Sequence, residues 1–435
     1  MIGKPTIHGV SIRLAASILL ALVFMTIVLQ TYFPLDISTS ISSPHQFSSR
    51  YTSRPSKYST SFVAENALIQ NDSLLINTAS AKNINMPEHN MSSVQLTIPK
   101  RITNASQQTI THIGFLKVHK AGSETMQNIF FRFGLKHNLT FVLPEKGRYF
   151  RRTGSAMPVR PGNHHDILAV HSVYSRKLFR SVLPIDSVNI GIIREPLERM
   201  VSAAYYYRDV MKRRDLLKVP KLNFIHNIVN QPHLYDRKPF SRTKNSMGQD
   251  FGFSSTITIN DTEEIEKQLD LLKKDFKLVL VLERFEESLI LMKRTLNWDL
   301  EDVIYLKRNS HAHKPVVLSP NELNKFKSTC FLDYVVYETF YEIFDKKIAA
   351  EGPDFVSEVE HFKSVLHLVK DYCEQISKNL SHKSLRIAQS AWNEPFEISN
   401  QDCRFLQMND FIDFIKRRHR ELNGISSLRK KRGVQ

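Results

Sequence analysis

The sequence predicts an α/β domain in which helices flank a central parallel sheet, preceded by a single transmembrane helix. Three observations carry this prediction. Residues 14–33 are uncharged and mostly apolar, a polar segment follows them, and from about residue 111 short apolar runs alternate with helical patterns. The formal net charge of +17 at pH 7 adds that the chain suits a polyanionic partner.

The apolar run 14–33 is long enough to cross a bilayer as a helix. Lys4 and Arg13 precede it, the first acidic residue is Asp36, and no Ala-x-Ala cleavage pattern follows. These features favour a retained signal anchor, with a cytoplasmic tail at residues 1–13 and a lumenal remainder. A cleaved signal peptide is the alternative interpretation.

Residues 34–110 are rich in Ser, Thr and Asn and lack sustained periodicity, which predicts a flexible lumenal stem. Six N-x-S/T triplets agree with lumenal exposure and glycosylation. Their asparagines are Asn71, Asn90, Asn104, Asn138, Asn260 and Asn379. Because a lumenal domain does not meet nucleic acid, we expect no nucleic-acid partner, and the basic residues 423–435 read as a solvated tail.

All three cysteines, Cys330, Cys373 and Cys403, lie in the C-terminal third of the chain. An oxidising lumen permits one disulfide and leaves one thiol over. We expect Cys373 to pair with Cys403.

Residues 111–422 are long enough for one large domain with its own core. Strand-type apolar runs occupy 113–118, 166–170, 188–193 and 278–282. Helical patterns occupy 125–133, 196–213, 262–275 and 285–296. Strands alternating with helices indicate a parallel sheet, and such sheets bind ligands beyond the carboxyl ends of their strands.

The first candidate site is the turn between the first strand and its helix, within HIGFLKVHKAGSETMQNIFFRFG. The helix start offers free N–H groups, Gly122 lets backbone approach an anion, and Lys117 and Lys120 add positive charge. Ser123 and Thr125 can donate hydroxyl hydrogen bonds, so the turn suits a phosphate or sulfate group. The alternative is a surface turn in which Ser123 only caps the helix. The lysines precede the glycine, unlike the Walker pattern.

The second candidate site is REPLERMVSAAYYYR, which follows the third strand. Pro196 suits a first helical turn, so Arg194 lies at the strand's end and Ser202 two turns into the helix. A guanidinium and a hydroxyl placed in this way can hold a second phosphate. The alternative is a structural ion pair between Arg194 and Glu198.

These two segments resemble the cofactor segments of Golgi sulfotransferases that use 3′-phosphoadenosine 5′-phosphosulfate (PAPS). FLKVHKAGSETMQNIFFRFGLKHNLTFVLP is similar, more narrowly, to the galactose 3-O-sulfotransferases, as are LVLVLERFEESLILMKRTLNWDLEDVIYLKRN and LDYVVYETFYEIF. The resemblance covers about residues 113–344. It implies a P-loop-like sulfotransferase fold, a single-pass type II Golgi membrane protein, and transfer of a sulfo group to the 3-hydroxyl of a β-linked galactose on a glycolipid or glycan.

The resemblance also implies residue roles. The 5′-phosphosulfate loop maps onto Lys117, Lys120, Gly122, Ser123 and Thr125, and the 3′-phosphate contacts map onto Arg194 and Ser202. Glu124 departs from the family, which more often has Ser or Thr there. A carboxylate beside a bound dianion is repelled, so Glu124 must point away along the helix or weaken cofactor affinity.

Transfer in line with the leaving phosphate needs positioning and electrostatic stabilisation, for which Lys117 and Lys120 are candidates. The acceptor hydroxyl needs a base, and a neutral histidine suits that role. His171, at the end of the second strand, ranks first, and His119, within the loop, ranks second. For each, the alternative is a histidine that only satisfies local hydrogen bonds.

No metal is expected, since lysines supply the positive charge that the transfer needs. The pairs His164–His165 and His311–His313 have possible ligand spacing, but neither has an evident Cys, Asp or Glu partner in the sequence. Two other functions stay open: a PAPS-dependent transferase acting on another sugar, such as a glycosaminoglycan uronic acid, and a non-catalytic lumenal binding protein. A glycosyltransferase would show Asp-x-Asp, which this sequence lacks.

Overall fold

The computed structural model describes residues 108–151, 155–307, 315–378 and 383–424. None of the helices in these ranges combines the length and the apolar character needed to cross a bilayer. Several predicted features lie outside the described residues: the anchor 14–33, nearly all of the stem, the residues beyond 424, His311–His313, Asn71, Asn90, Asn104 and Asn379.

A four-stranded parallel sheet forms the centre of the domain. Its strands are β1 (Ile113–Phe115), β2 (Ile167–Leu168), β3 (Val188–Ile193) and β4 (Phe276–Val281), in the order β2-β1-β3-β4. The predicted parallel sheet with flanking helices is therefore confirmed. The chain passes from β1 to β2 on one side of the sheet and from β3 to β4 on the other side. It therefore leaves the adjacent strands β1 and β3 in opposite directions, which opens a crevice beyond their carboxyl ends.

Fifteen helices of the described residues surround or extend this sheet. They are α1 (Ser123–Lys136), α2 (Arg176–Val182), α3 (Pro196–Tyr205), α4 (Arg214–Leu217), α5 (Phe224–Asn230), α6 (Pro232–Tyr235), α7 (Ser246–Asp250), α8 (Thr262–Asp275), α9 (Phe285–Leu296), α10 (Leu300–Val303), α11 (Pro320–Thr329), α12 (Phe331–Ala349), α13 (Asp354–Ser377), α14 (Asn400–Gln407) and α15 (Phe411–Leu422). A π-helical turn, Tyr206–Val210, continues α3, and a 3₁₀ turn, Leu282–Arg284, links β4 to α9.

Aromatic side chains fix α1 against the sheet. Phe115 of β1 and Phe130 of α1 are fully buried with ring centroids 4.8 Å apart, and Phe133 stacks on Trp298 at 3.7 Å. The indole N–H of Trp298 donates to the carbonyl of Ile110 at 2.9 Å, which ties the chain entering β1 to the core. This packing holds the start of α1 directly after β1.

The C-terminal part adds a feature that the sequence did not indicate. An antiparallel pair, β5 (Leu385–Ile387) and β6 (Phe396–Ile398), separates α13 from α14. A disulfide joins Cys373 of α13 to Cys403 of α14, as expected, and Cys330 is a buried free thiol. The two helices are thereby held together across the strand pair.

Candidate functional site

The turn after β1 has the backbone of an anion-binding loop. Lys120 and Gly122 both take left-handed conformations, with φ of 61° and 69°, and α1 begins at Ser123. A Cβ atom on Gly122 would lie 2.5 Å from Cδ1 of Leu282, so the turn packs against the end of β4. Only glycine meets both the conformation and the close approach without strain.

The start of α1 leaves N–H groups available. Within the described residues, the backbone N–H groups of Ala121, Gly122 and Ser123 donate to no protein acceptor. They add to the partial positive charge at the helix start. The backbone therefore suits an anion beyond the carboxyl end of β1.

The two hydroxyl residues of the turn differ in their availability. The hydroxyl of Ser123 donates to the carbonyl of Val118 at 2.6 Å, so it closes the turn. Thr125 is 9% exposed and its hydroxyl has no protein partner among the residues described. Thr125 is thus the hydroxyl that remains available to a ligand.

Lys117 does not project freely from the turn. Its side chain is buried, and its Nζ donates to Glu124 Oε1 at 2.8 Å and to Gln127 Oε1 at 2.9 Å. Burial lowers the pKa of Lys117, against the opposing effect of Glu124. Of the two alternatives for Glu124, the structure does not show the first: its carboxylate turns back onto Lys117 and offsets that charge.

The second segment meets the first at Lys120. Arg194, directly after β3, donates from Nη1 to the carbonyl of Lys120 at 3.1 Å, and its Nη2 lies 3.4 Å from Glu198 Oε2. The ion pair considered as an alternative is therefore present, together with a contact to the first segment. Ser202, in the second turn of α3, is half-buried, and its hydroxyl makes no hydrogen bond to another described residue.

The ammonium of Lys120 lies 3.9 Å from the ring centroid of Tyr206, in the π-helical turn. Burial and the neighbouring Arg194 lower the pKa of Lys120 to about 8. Two cations held this close are mutually repelled, and an anion between them would relieve that repulsion. Lys120 and Arg194 are therefore the cations best placed to receive one.

Both candidate histidines stand beside this turn, in a stack of three rings. The rings of His119 and His171 are 4.2 Å apart at an interplanar angle of 14°, and Tyr149 lies against both. The Nδ1 of His171 lies 2.9 Å from the carbonyl of Lys117. Burial, Lys117 and His119 together hold the pKa of His171 well below its usual 6.5, so this imidazole is neutral and a weak base.

His119 has a different partner. Its Nδ1 lies 2.9 Å from both carboxylate oxygens of Asp250, and its backbone N–H donates to Asp250 Oδ2 at 2.8 Å. The carboxylate holds a proton on Nδ1, which leaves the Nε2 lone pair facing the hydroxyl of Tyr149 at 3.1 Å. A histidine oriented by a carboxylate in this way is arranged to accept a proton from a hydroxyl.

A buried ion pair holds Asp250 in place. The N–H groups of Met247 and Gly248, at the start of α7, donate to Oδ1 of Asp333 at 2.8 and 2.9 Å. The other oxygen of Asp333 accepts from Arg199 Nη2 of α3 at 3.0 Å, and both charged side chains are fully buried. One carboxylate thus links the helix that follows Arg194 to the short helix that carries Asp250.

Sequence reasoning missed Asp250, Tyr149 and Asp333. Asp250 and Asp333 lie 131 and 214 positions after His119, and local sequence patterns do not predict contacts between residues so far apart. The one sequence feature that could have drawn attention to them is a carboxylate among apolar residues. Of the three consecutive tyrosines 205–207, Tyr207 is buried in the core.

Comparison with known proteins identifies the family. A family model described as galactose-3-O-sulfotransferase matches residues 23–399. The chain is 29% identical over 309 residues to galactose-3-O-sulfotransferase 2 of Mus musculus, which covers 66% of this chain and 76% of that protein. It is 30% identical over 259 residues to galactosylceramide sulfotransferase of Homo sapiens, and 31% identical over 251 residues to galactose-3-O-sulfotransferase 3 of Mus musculus; each alignment covers 55% of this chain and 58% of the relative. The chain, in which the two segments of the candidate site meet beyond the parallel strands β1 and β3, belongs to the galactose-3-O-sulfotransferase family of enzymes.

Proposed function

We propose that this protein transfers a sulfo group from PAPS to the 3-hydroxyl of a β-linked galactose on a glycolipid or glycoprotein glycan. The observation that carries the proposal is the meeting of Lys120 and Arg194 at the crevice between β1 and β3, directly beside a histidine oriented by a buried carboxylate. The two cations, Lys120 and Arg194, suit a donor that carries several anionic groups. The histidine and its carboxylate suit removal of a proton from a sugar hydroxyl.

The residues present fit a donor with anionic groups at two ends. The N–H groups of residues 121–123, the hydroxyl of Thr125 and Lys120 would hold the 5′-phosphosulfate. Arg194 and Ser202 would hold the 3′-phosphate. A Cβ at position 122 would collide with Leu282 and displace the turn, so Gly122 also supports binding of the donor in this place.

His119 is the base that the geometry favours, which reverses the order expected from the sequence. The carboxylate of Asp250 lies 2.9 Å from Nδ1 of His119 and orients that ring, whereas burial and Lys117 lower the pKa of His171. The 3-hydroxyl of galactose would replace Tyr149 at Nε2 of His119. His171 would then act by packing, since its ring supports that of His119 at 4.2 Å.

The proposed transfer forms one bond to sulfur, breaks one, and moves one proton. PAPS supplies the sulfo group, whose bond to the bridging phosphate oxygen breaks as the bond to galactose O3 forms. The proton of the 3-hydroxyl passes to Nε2 of His119. Lys120, supported by the N–H groups of the turn, stabilises the negative charge that remains on the phosphate oxygen. Lys117 contributes less, because Glu124 already offsets its charge.

The acceptor class is the finer part of the proposal. Relatives at similar identity carry the names galactosylceramide sulfotransferase and galactose-3-O-sulfotransferase. Both names share galactose, which supports a terminal β-galactoside as the recognised unit. We further propose a Golgi membrane location with the catalytic domain in the lumen, supported by the disulfide and by Asn138 and Asn260, which are exposed.

The decisive experiment incubates the purified full-length protein with radiolabelled PAPS and three β-galactosides: galactosylceramide, a free galactose-terminated oligosaccharide, and the same oligosaccharide methylated at O3. Label is expected on the first or second acceptor and not on the third, with the sulfate mapped to O3. Sulfate at another carbon, or label on the O3-methylated oligosaccharide, would overturn the assignment.

The base is tested separately with three variants. Asp250→Asn preserves shape but removes the charge that supports the imidazolium, and His119→Ala removes the ring; each is expected to lower kcat by about 10² to 10⁴. His171→Ala is expected to lower kcat by less than about tenfold. All three should still bind 3′-phosphoadenosine 5′-phosphate. If His171→Ala is the variant that loses turnover, the roles of the two histidines are the reverse of those proposed.

The location is tested in cells with a C-terminal epitope tag. Digestion by N-glycosidase should shorten the protein, and the tag should resist protease until the membrane is permeabilised. A tag that is cleaved in intact vesicles contradicts the lumenal orientation.

A further inference from the structure

A second cluster of polar side chains lies at the opposite edge of the sheet, where β1, β2 and β3 begin. His112 directly precedes β1, and His164 and Asp166 precede β2. His164 has no evident partner in the sequence pattern, yet the fold brings all three side chains together. Their nearest ligand atoms lie within 4.8 Å of one another.

The distances among these atoms match one face of a tetrahedral metal site. His112 Nε2 and His164 Nε2 are 3.3 Å apart, and Asp166 Oδ1 lies 3.4 Å from the first and 3.0 Å from the second. Nitrogen and oxygen ligands at zinc's usual bond lengths of about 2.0–2.1 Å stand about 3.3 Å apart when the geometry is tetrahedral. The three edges are close to that value.

The orientation of the rings also suits a cation. Asp186 Oδ1 lies 2.8 Å from Nδ1 of His112, so the other ring nitrogen, Nε2, faces the cluster. Nε2 of His112, Nε2 of His164 and Oδ1 of Asp166 thus converge on one point, where a divalent cation could bind all three atoms.

Neighbouring groups hold the ligands as metal sites require. The second oxygen of Asp166 accepts from the backbone N–H and the hydroxyl of Thr140, at 2.6 and 2.8 Å, so Oδ1 keeps its direction. The Asp186–His112 contact is the carboxylate–histidine arrangement that fixes a ligating ring and raises its basicity. The side chain of Asp166 is 11% exposed and that of His164 is 58% exposed, so an ion can enter from solvent.

We propose that His112, His164 and Asp166 bind one zinc-class divalent ion, with water as the fourth ligand, at the amino-terminal edge of the sheet. This ion would join the starts of β1 and β2 directly and that of β3 through Asp186. It lies at the far end of the strands from Lys120 and Arg194, so its role is structural. Two imidazoles and one carboxylate favour Zn²⁺ over Mg²⁺ or Ca²⁺, which prefer oxygen ligands.

The test uses the full-length protein stripped of metal with a chelator. Calorimetric titration with ZnCl₂ should give one equivalent with a Kd at or below about 1 µM. Co²⁺ in its place should give the strong visible absorption of a tetrahedral site. His164→Ala should weaken binding at least about 100-fold, and Asp186→Ala, which removes only the orienting partner, about tenfold to 100-fold.

His367→Ala provides the matched control, because His367 is an exposed histidine paired with a carboxylate, Asp371, at 2.9 Å. That variant should bind zinc as the wild type does. The ion should raise the unfolding temperature of the wild type without altering kcat at a temperature well below unfolding. Absence of a one-equivalent site, equal binding by His164→Ala, or loss of kcat on chelation in folded protein would overturn the proposal.

Discussion

Glu124 lies in the first turn of α1, the helix whose start is proposed to hold an anion. Its carboxylate forms an ion pair with Lys117. The ion pair, 2.8 Å long, offsets the charge of Lys117 at the proposed donor site. Among the described residues of that site, two cations have no equally close counter-charge: Lys120, whose ammonium faces the ring of Tyr206, and Arg194, which keeps only a long contact with Glu198. We therefore expect the donor affinity to depend on few side chains.

Replacing Glu124 should strengthen donor binding. In Glu124→Gln the carboxylate no longer repels the phosphosulfate, and the bound anion supplies the counter-charge for Lys117. We expect 3′-phosphoadenosine 5′-phosphate to bind about fivefold more tightly by calorimetry, or about 1 kcal/mol. Glu263→Gln, on the exposed first turn of α8, is the control and should leave the Kd unchanged. Unchanged or weaker binding by Glu124→Gln would contradict the reading of the ion pair.

Donor binding should also weaken at alkaline pH. The pKa of Lys120 in the free protein is about 8, so the ammonium loses its charge as the pH rises through that value. A bound anion favours the charged form, so the Kd for the bisphosphate should rise about tenfold between pH 7.5 and 9.5. Lys120→Arg should flatten this profile because a guanidinium stays charged throughout. A wild-type Kd that is constant over this range would exclude Lys120 as the titrating group.

At the scale of secondary structure elements, the sequence predicts the features that depend on local patterns and misses those that depend on contacts between distant residues. The bounds of β3, α8 and α9 agree with the sequence pattern, because alternation and helical spacing are local properties. β1 is shorter than its apolar run, since the chain leaves the sheet after Phe115 to form the turn. The helical pattern over 196–213 predicts one helix, but the α-helix ends at Tyr205 and a π-helical turn follows, in which Tyr206 lies against Lys120.

The candidate site follows the same division. The sequence predicts the turn after β1, the helix that follows it and the position of Arg194, because a glycine, a helix start and a strand end are visible in a short window. It could not predict that Glu124 turns onto Lys117, or that Asp250 orients His119. Those contacts depend on the direction of side chains and on elements 131 positions apart.

The turn itself is tested by Gly122→Ala, with Gly147→Ala as a matched control. Both glycines have nearly the same φ, 69° and 68°, but a Cβ at 122 meets Leu282 whereas one at 147 meets nothing within 4 Å. Gly147→Ala should lower the free energy of unfolding by about 1 kcal/mol and spare nucleotide binding. Gly122→Ala should cost about 2–3 kcal/mol and weaken nucleotide binding at least tenfold. Equal effects of the two variants on unfolding in urea and on the Kd would show that the contact with Leu282 is unimportant.

At the scale of the whole molecule, the buried pair Arg199–Asp333 connects three parts of the domain. Arg199 belongs to the helix after β3, Asp333 to α12, and the N–H groups that Asp333 accepts belong to α7, which carries Asp250. The proposed donor site and the proposed base therefore share one carboxylate that neither touches directly. Damage to this carboxylate should affect stability first and turnover through the placement of Asp250.

Removing one partner of this pair should be costly. Arg199→Met leaves the charge of Asp333 buried with only two N–H donors, and should lower the free energy of unfolding by about 3–5 kcal/mol. Lys346→Met breaks an exposed pair with Glu342 and should cost less than about 1 kcal/mol. Urea unfolding followed by circular dichroism measures both. A small loss for Arg199→Met would indicate that solvent reaches Asp333.

The order in which the chain emerges from the ribosome gives the Asp333 contact a further consequence. All four strands of the parallel sheet, and His119 with Asp250, have been synthesised once residue 281 is reached, yet α7 gains its anchor only when residue 333 follows. A nascent chain that has reached a residue between 281 and 333 would contain every group proposed for chemistry. It would still lack Asp333, which anchors the helix that carries Asp250. The carboxylate that aligns the proposed base is therefore added to the growing chain after all the residues that it helps to place.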